Sequence, residues 1–262
     1  MESMRRHPLL AYSALACGIT WIGVLPLVLG APVSPLFHVV GALGPVGAAV
    51  IVTMRAGGRP AVGELLRATT RWRAGPRWLA ITLVSPLALF AVAALLTRAD
   101  LSRLSVWTSD PLQLFEILVV STAYGLGEEP GWRGFMLPKL QARHDAWAAT
   151  LLLALVWAAW HAPFFAYRYD FGGPGMIAGF VVTLFAGALW LTFLYNSTGG
   201  SVLAVALWHV IWNALNLSMG AVSESTLAVA NALVLALALG VVLLGGPRRL
   251  CWSPARHAEG DP

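Results

Sequence analysis

A chain of 262 residues that is 58% hydrophobic and 11% charged, with mean hydropathy +0.73, is too apolar for a soluble domain, in which about a quarter of residues are charged. This composition points to an all-α, polytopic membrane helix bundle. The net charge of +5 comes from 17 basic residues, of which only Lys139 is a lysine. Spread over loops, such a charge orients a membrane protein and gives no reason to expect nucleic acid as a partner. Cys17 and Cys251 form no disulfide framework and have no metal-ligand spacing.

Residues 1–8 form a basic leader with Arg5 and Arg6. Apolar runs then follow at 9–30, 36–54, 78–97 and from Pro111, each near the roughly 20 residues that cross a hydrocarbon core. In the second run Gly41, Gly44 and Gly47 recur at helical spacing, which lets a neighbouring helix approach. The connection 55–77 holds six arginines against Glu64 alone, with Trp72 and Trp78 as interface anchors. Four further runs cover 147–167, 176–195, 199–219 and 225–244, the first pair joined by the Gly172-Gly173-Pro174-Gly175 turn. The tail 247–262 carries Arg248, Arg249 and Arg256. Arginine-rich connections alternate with neutral ones, so eight helices with both termini in the cytoplasm satisfy the positive-inside rule. Residues 9–246 read as one bundle without repeats. The arginine-heavy, lysine-poor composition suggests a bacterial cytoplasmic membrane.

The polar exceptions are concentrated. Gly127-Glu128-Glu129-Pro130-Gly131-Trp132-Arg133 interrupts the fourth run, His161 ends Trp157-Ala158-Ala159-Trp160-His161, and His209 opens His209-Val210-Ile211-Trp212-Asn213. Ionisable groups at membrane depth are costly and mark functional sites by default. Either the fourth helix stops at Gly127 and the glutamates lie in a loop, or it kinks at Pro130 and runs on to about Leu140. At 1.5 Å per residue, continuation puts Glu128 about 18 Å deep, level with His161 at about 21 Å and His209 at about 15 Å. Continuation is therefore expected.

Glu129 and Arg133 stand i,i+4 with the acid first, the favourable order for an ion pair. Glu128 is left without an evident partner on its own helix, and a desolvated carboxylate without a cation is the better general base. His161 is placed to share the activated water or protonate a leaving amine. His209 and Asn213 share a helical face, where two donors suit an oxyanion. Asn213 and Asn216 could also serve as interhelical glue. Trp157, Trp160, Trp208 and Trp212 are candidate cavity linings, although such tryptophans more often pack or anchor. His38 is expected at the interface, and His7, His144, His257 and Glu116 receive no role.

Together the residues resemble the CPBP family, the type II CAAX prenyl proteases and bacteriocin-processing (Abi) peptidases. Glu128, Glu129 and Arg133 match its Glu-Glu-x-x-x-Arg motif. His161 matches Phe-x-x-x-His, with Trp157 standing where the motif has phenylalanine, and His209 with Asn213 matches His-x-x-x-Asn. The resemblance implies an intramembrane endopeptidase acting on a membrane-anchored or lipidated peptide or protein. In it Glu128 and His161 activate water while His209 and Asn213 hold the oxyanion. It leans to a cofactor-free glutamate mechanism; the zinc alternative would use Glu128, His161 and His209. A non-catalytic immunity or scaffolding protein and, third, a transporter are the other classes a polar midplane allows.

The loop charges generate a topology prediction. Single cysteines introduced at Arg59 and Arg103 should label from opposite sides of the membrane, Arg59 from the cytoplasm. Labelling from one side would sink the eight-helix topology.

Overall fold

The computed structural model describes residues 4 and 6–252 apart from 71, 73, 106–108 and 170–172. Arg5, Gly172, Arg256 and His257 therefore lie outside the described residues. Among the described residues there is no strand, and eight principal helices form a bundle. They are α1 (Pro8–Gly23), α2 (Leu43–Thr70), α3 (Pro76–Thr97), α4 (Pro111–Gly131, extended below), α5 (Ala146–Trp160), α6 (Pro174–Ser197), α7 (Val202–Val222) and α8 (Glu224–Gly245). Five spans are long and apolar enough to cross a membrane by length and composition: Leu36–Thr70, Pro76–Thr97, Ala146–Ala166, Pro174–Ser197 and Glu224–Gly245. α1 and Val202–Ser218 are shorter apolar helices. Large aliphatic side chains such as Leu10, Leu29, Leu95 and Leu243 face outward, as a lipid-facing surface requires. The molecule is a helical membrane bundle.

α4 lies at its centre, packed against both α2 and α7, while α1 covers α2, and α3 and α8 close around α7. Its start is well specified. The Asp110 side chain accepts from the Leu112 and Gln113 amides, and Pro111 occupies the first turn, where a missing N–H costs nothing. The far end resolves the alternative left open by the sequence. The α-helix runs through Gly127 to Gly131, passes into a π-helical turn at Trp132–Met136 and resumes at Leu137–Gln141. Pro130 cannot donate a backbone hydrogen bond, and the looser i→i+5 turn directly after it carries the helix onward. Glu128, Glu129 and Arg133 are thus interior residues of the bundle and not a loop.

Other boundaries shift for local reasons. The second run opens as a 3₁₀ helix over Pro35–Ala42 before α2 begins. The arginine-rich connection, read as a loop from residue 55, is largely helical to Thr70. It is broken only at Gly58, whose φ of 68° suits glycine alone, and Pro60 opens the helical piece beyond. In the fifth run the α-helix ends at Trp160 and not at Tyr167, because Pro163 removes the next donor; residues Ala162–Ala166 continue as a 3₁₀ turn. His161 is consequently the residue that closes α5.

Close helix approach depends on glycine, as expected for the second run. A methyl added at Gly44 would meet the Ala16 carbonyl of α1 at 2.6 Å, and one at Gly41 the Tyr124 hydroxyl at 2.7 Å. On α4 the same holds at Gly127, 2.6 Å from the Ala42 carbonyl oxygen, and at Gly131, 2.6 Å from the Pro45 carbonyl oxygen and the Tyr12 hydroxyl. Gly131→Ala should therefore destabilise the bundle by about 1–3 kcal/mol through overpacking. Gly187→Ala on α6, where an added methyl meets nothing within 4 Å, should leave stability unchanged. Thermal unfolding of the detergent-solubilised protein measures both.

Candidate active site

Two adjacent carboxylates on α4 meet opposite treatment. Glu129 is fully buried, and both of its oxygens accept from Nη1 of Arg133, at 2.9 and 3.0 Å, one helical turn on. Its Oε1 also accepts from Nδ1 of His209 on α7 at 2.7 Å. The ion pair expected at i,i+4 therefore forms, and it includes a histidine that sequence spacing had not linked to it. Arg133 is also fully buried, its guanidinium 5.2 Å from the centre of the Trp157 ring. Among the described residues its Nε and Nη2 have no hydrogen-bond partner, nor does the buried Tyr12 hydroxyl.

Glu128 is 2% exposed and forms no ion pair with a described residue, yet it is not bare. Its Oε2 accepts from two indoles, Trp132 Nε1 at 3.0 Å and Trp157 Nε1 at 2.7 Å. The expectation of no partner on its own helix is thus corrected. Trp132 lies at i+4 from Glu128, the same spacing that pairs Glu129 with Arg133. That signal was present in the sequence, but an aromatic ring reads as packing until its N–H is given a target. The other carboxylate oxygen, Oε1, makes no hydrogen bond to a described residue.

His161, 8% exposed, pairs its Nδ1 with the Trp157 carbonyl at 2.8 Å. A carbonyl only accepts, so Nδ1 carries the proton and Nε2 the lone pair. The ring is boxed by Trp160, Trp157, Phe164 and Phe180 at centroid distances of 4.8 to 5.7 Å. His209 likewise turns Nδ1 to its acceptor and lies edge-on to Trp157 at 5.8 Å. Asn213, one turn along α7, is half-buried and makes no side-chain hydrogen bond to a described residue. Asn216 bonds the Trp212 carbonyl of its own helix at 3.0 Å and is not interhelical glue.

Trp157 therefore touches Glu128, Arg133, His161 and His209 at once, a centrality its sequence reading as packing or cavity lining did not reveal. The other candidate linings part ways. Trp160 donates to Thr20 Oγ1 of α1 at 2.7 Å while contacting His161. Trp208 donates to Ser85 of α3 at 2.9 Å and stacks on Trp212. It ties α7 to α3 and makes no hydrogen bond to the motif carboxylates. His38, expected at the interface, is half-buried, with Nδ1 2.6 Å from the Tyr167 hydroxyl and its ring stacked on Tyr124.

Residues 110–215, which hold every motif residue above, match the model of the family described as type II CAAX prenyl endopeptidase Rce1-like. Through this core the chain is similar to the CPBP family of CAAX-type prenyl endopeptidases. A curated relative, CAAX prenyl protease 2 of Methanococcus maripaludis, is 24% identical over 136 residues, 50% of this chain and 48% of that protein. The matched part thus spans about half the length of the curated relative. As for the zinc alternative, no three His, Cys, Asp or Glu side chains among the described residues gather closely enough to hold a metal ion.

Removing one partner from a buried ion pair strands the other charge, at a cost of about 3–5 kcal/mol. Arg133→Met, which leaves Glu129 with only His209, should lose stability on this scale. Trp208→Phe, which removes a single hydrogen bond to Ser85, should cost about 1 kcal/mol. Denaturation in mild detergent measures the difference.

Proposed function

We propose that the chain is an intramembrane endopeptidase that hydrolyses a peptide bond in a membrane-anchored peptide or protein, without a metal. The observation that carries this reading is the division of labour between the glutamates. Glu129 is neutralised by Arg133 and His209, so it is poorly suited to take up a proton. Among the described residues Glu128 accepts hydrogen bonds from neutral donors alone, and its Oε1 accepts none. In a desolvated site such a carboxylate is the stronger base.

In the proposed reaction Glu128 Oε1 removes a proton from a water that also donates to His161 Nε2. The resulting hydroxide attacks the scissile carbonyl carbon, and the carbonyl electron pair moves onto oxygen. Asn213 donates to this oxyanion. His209 joins it as an imidazolium, since its neutral form has no proton left on Nε2 once Nδ1 serves Glu129. Two carboxylates, one guanidinium and one imidazolium leave the site neutral overall, which a low-dielectric interior favours. As the tetrahedral intermediate collapses, the proton held by Glu128 passes to the departing amine. Preorganised donors of this kind act most strongly where water is excluded. Similarity to the CAAX prenyl protease 2 of Methanococcus maripaludis supports a prenylated CAAX peptide as the first substrate to test.

Glu128→Gln removes basicity with little change of shape and should abolish cleavage of a farnesylated CAAX reporter peptide in proteoliposomes. His161→Ala should be about as severe, and the double variant should add little, because both groups serve one water. Asn213→Ala should lower kcat by about 10²–10³. Activity should persist in a strong chelator. Loss on chelation with recovery on adding zinc would overturn the metal-free mechanism. A fully active, folded Glu128→Gln variant would remove the peptidase reading in favour of a binding or scaffolding protein.

A further inference from the structure

Glu128 Oε2 receives two indole N–H donors from different helices, Trp132 on the π-helical turn of α4 and Trp157 on α5. Both rings are rigidly seated. Trp132 is fully buried, edge-on to Tyr12 at 5.6 Å and to Trp160 at 6.2 Å, and Trp157 is 6% exposed between Arg133, His161 and His209. Neither donor can be supplied by phenylalanine, the residue in the motif that Trp157 otherwise follows. Indole donates and never accepts, so neither can turn to offer Glu128 a lone pair.

We infer that Trp132 and Trp157 form a two-indole clamp that positions the Glu128 carboxylate, fixing Oε2 so that Oε1 is presented to the reacting water. The clamp rests on the peptidase reading for its purpose, but its geometry stands apart from it. Two consequences follow. A carboxylate rotating about its last side-chain bond exchanges its two oxygens, and two convergent donors on one oxygen oppose that rotation. The donors are also neutral. They hold the carboxylate without supplying the cation that would quench its basicity, as Arg133 does for Glu129. The second link runs through Trp157 itself: its N–H orients Glu128 while its carbonyl fixes the tautomer of His161. One residue thereby sets both groups proposed to share the water. Trp132 and Trp157 are positioning residues.

The test uses the full-length protein in nanodiscs and separates the clamp from a packing role. Trp132→Phe and Trp157→Phe each keep an aromatic ring and drop one N–H. On the farnesylated reporter each should lose about tenfold in kcat, the value of one hydrogen bond to a charged group, with KM unchanged. The double variant should lose more than either. Melting temperatures should change little in the single variants; a packing role would instead lower stability while leaving the kcat of the folded fraction intact. Independently of any substrate, tryptophan-labelled protein should show two indole N–H resonances, those lost in Trp132→Phe and Trp157→Phe, that both move in Glu128→Gln. If neither moves, the clamp is wrong. If both single variants keep full kcat while Glu128→Gln is inactive, the clamp fails and the peptidase reading stands. If Glu128→Gln is active, the peptidase reading fails, and the resonances still decide whether the clamp exists.

Discussion

Two neighbouring carboxylates cannot both be left charged and unattended in an apolar interior, and the centre of this bundle is arranged around that constraint. Burying an unpaired charge costs a large share of the net stability of a fold, so each glutamate must find donors. The two solutions differ in kind. Glu129 draws a guanidinium from its own helix and an imidazole from α7, which ties α4 to α7 through a charged contact. Glu128 draws only neutral N–H groups. The first arrangement stabilises a charge, whereas the second tolerates one.

Both arrangements require α4 to remain a helix beyond Pro130. If it ended at Gly127, the donors at i+4 would not fall beside their acceptors, and Trp157 and His209 would face empty space. The π-helical turn at Trp132–Met136 is where the missing donor is absorbed, and it holds Trp132 and Arg133, the two residues that answer the glutamates. Glycines make room for this crowded segment: α4 lies against α7, the 3₁₀ segment before α2 and α2 itself where Gly125, Gly127 and Gly131 present no side chain to the backbones of Ala206, Ala42 and Pro45. A polar core in a membrane thus rests on small residues at the helix contacts, where packing replaces the hydrophobic drive available in water.

Around the polar core the aromatic residues have distinct tasks. Trp208 and Trp160 anchor helices through Ser85 and Thr20, which satisfies an indole donor that the membrane interior would otherwise leave unpaired. Trp132 and Trp157 spend the same donor on a carboxylate. The difference between an anchor and a site residue is therefore only what lies at hydrogen-bonding distance from Nε1.

Much of the fold was legible without coordinates. Apolar run length pointed to a helical membrane bundle, and the depth of His161 and His209 to the continuation of α4 past Pro130, because membrane thickness and helix rise leave few alternatives. Local spacing likewise determined the Glu129–Arg133 pair. The helical stretch to Thr70 and the end of α5 at Trp160 were misjudged, although Gly58 and Pro163 stood in view, because hydropathy outweighs single-residue backbone chemistry in a membrane sequence. What tertiary structure alone decided is which partner each polar group takes across helices. No periodicity says that Trp157 reaches Glu128, that His209 turns Nδ1 to Glu129 or that Trp208 turns away to Ser85. Those choices depend on the rotation of each helix about its axis, and that rotation is set by packing against several neighbours at once.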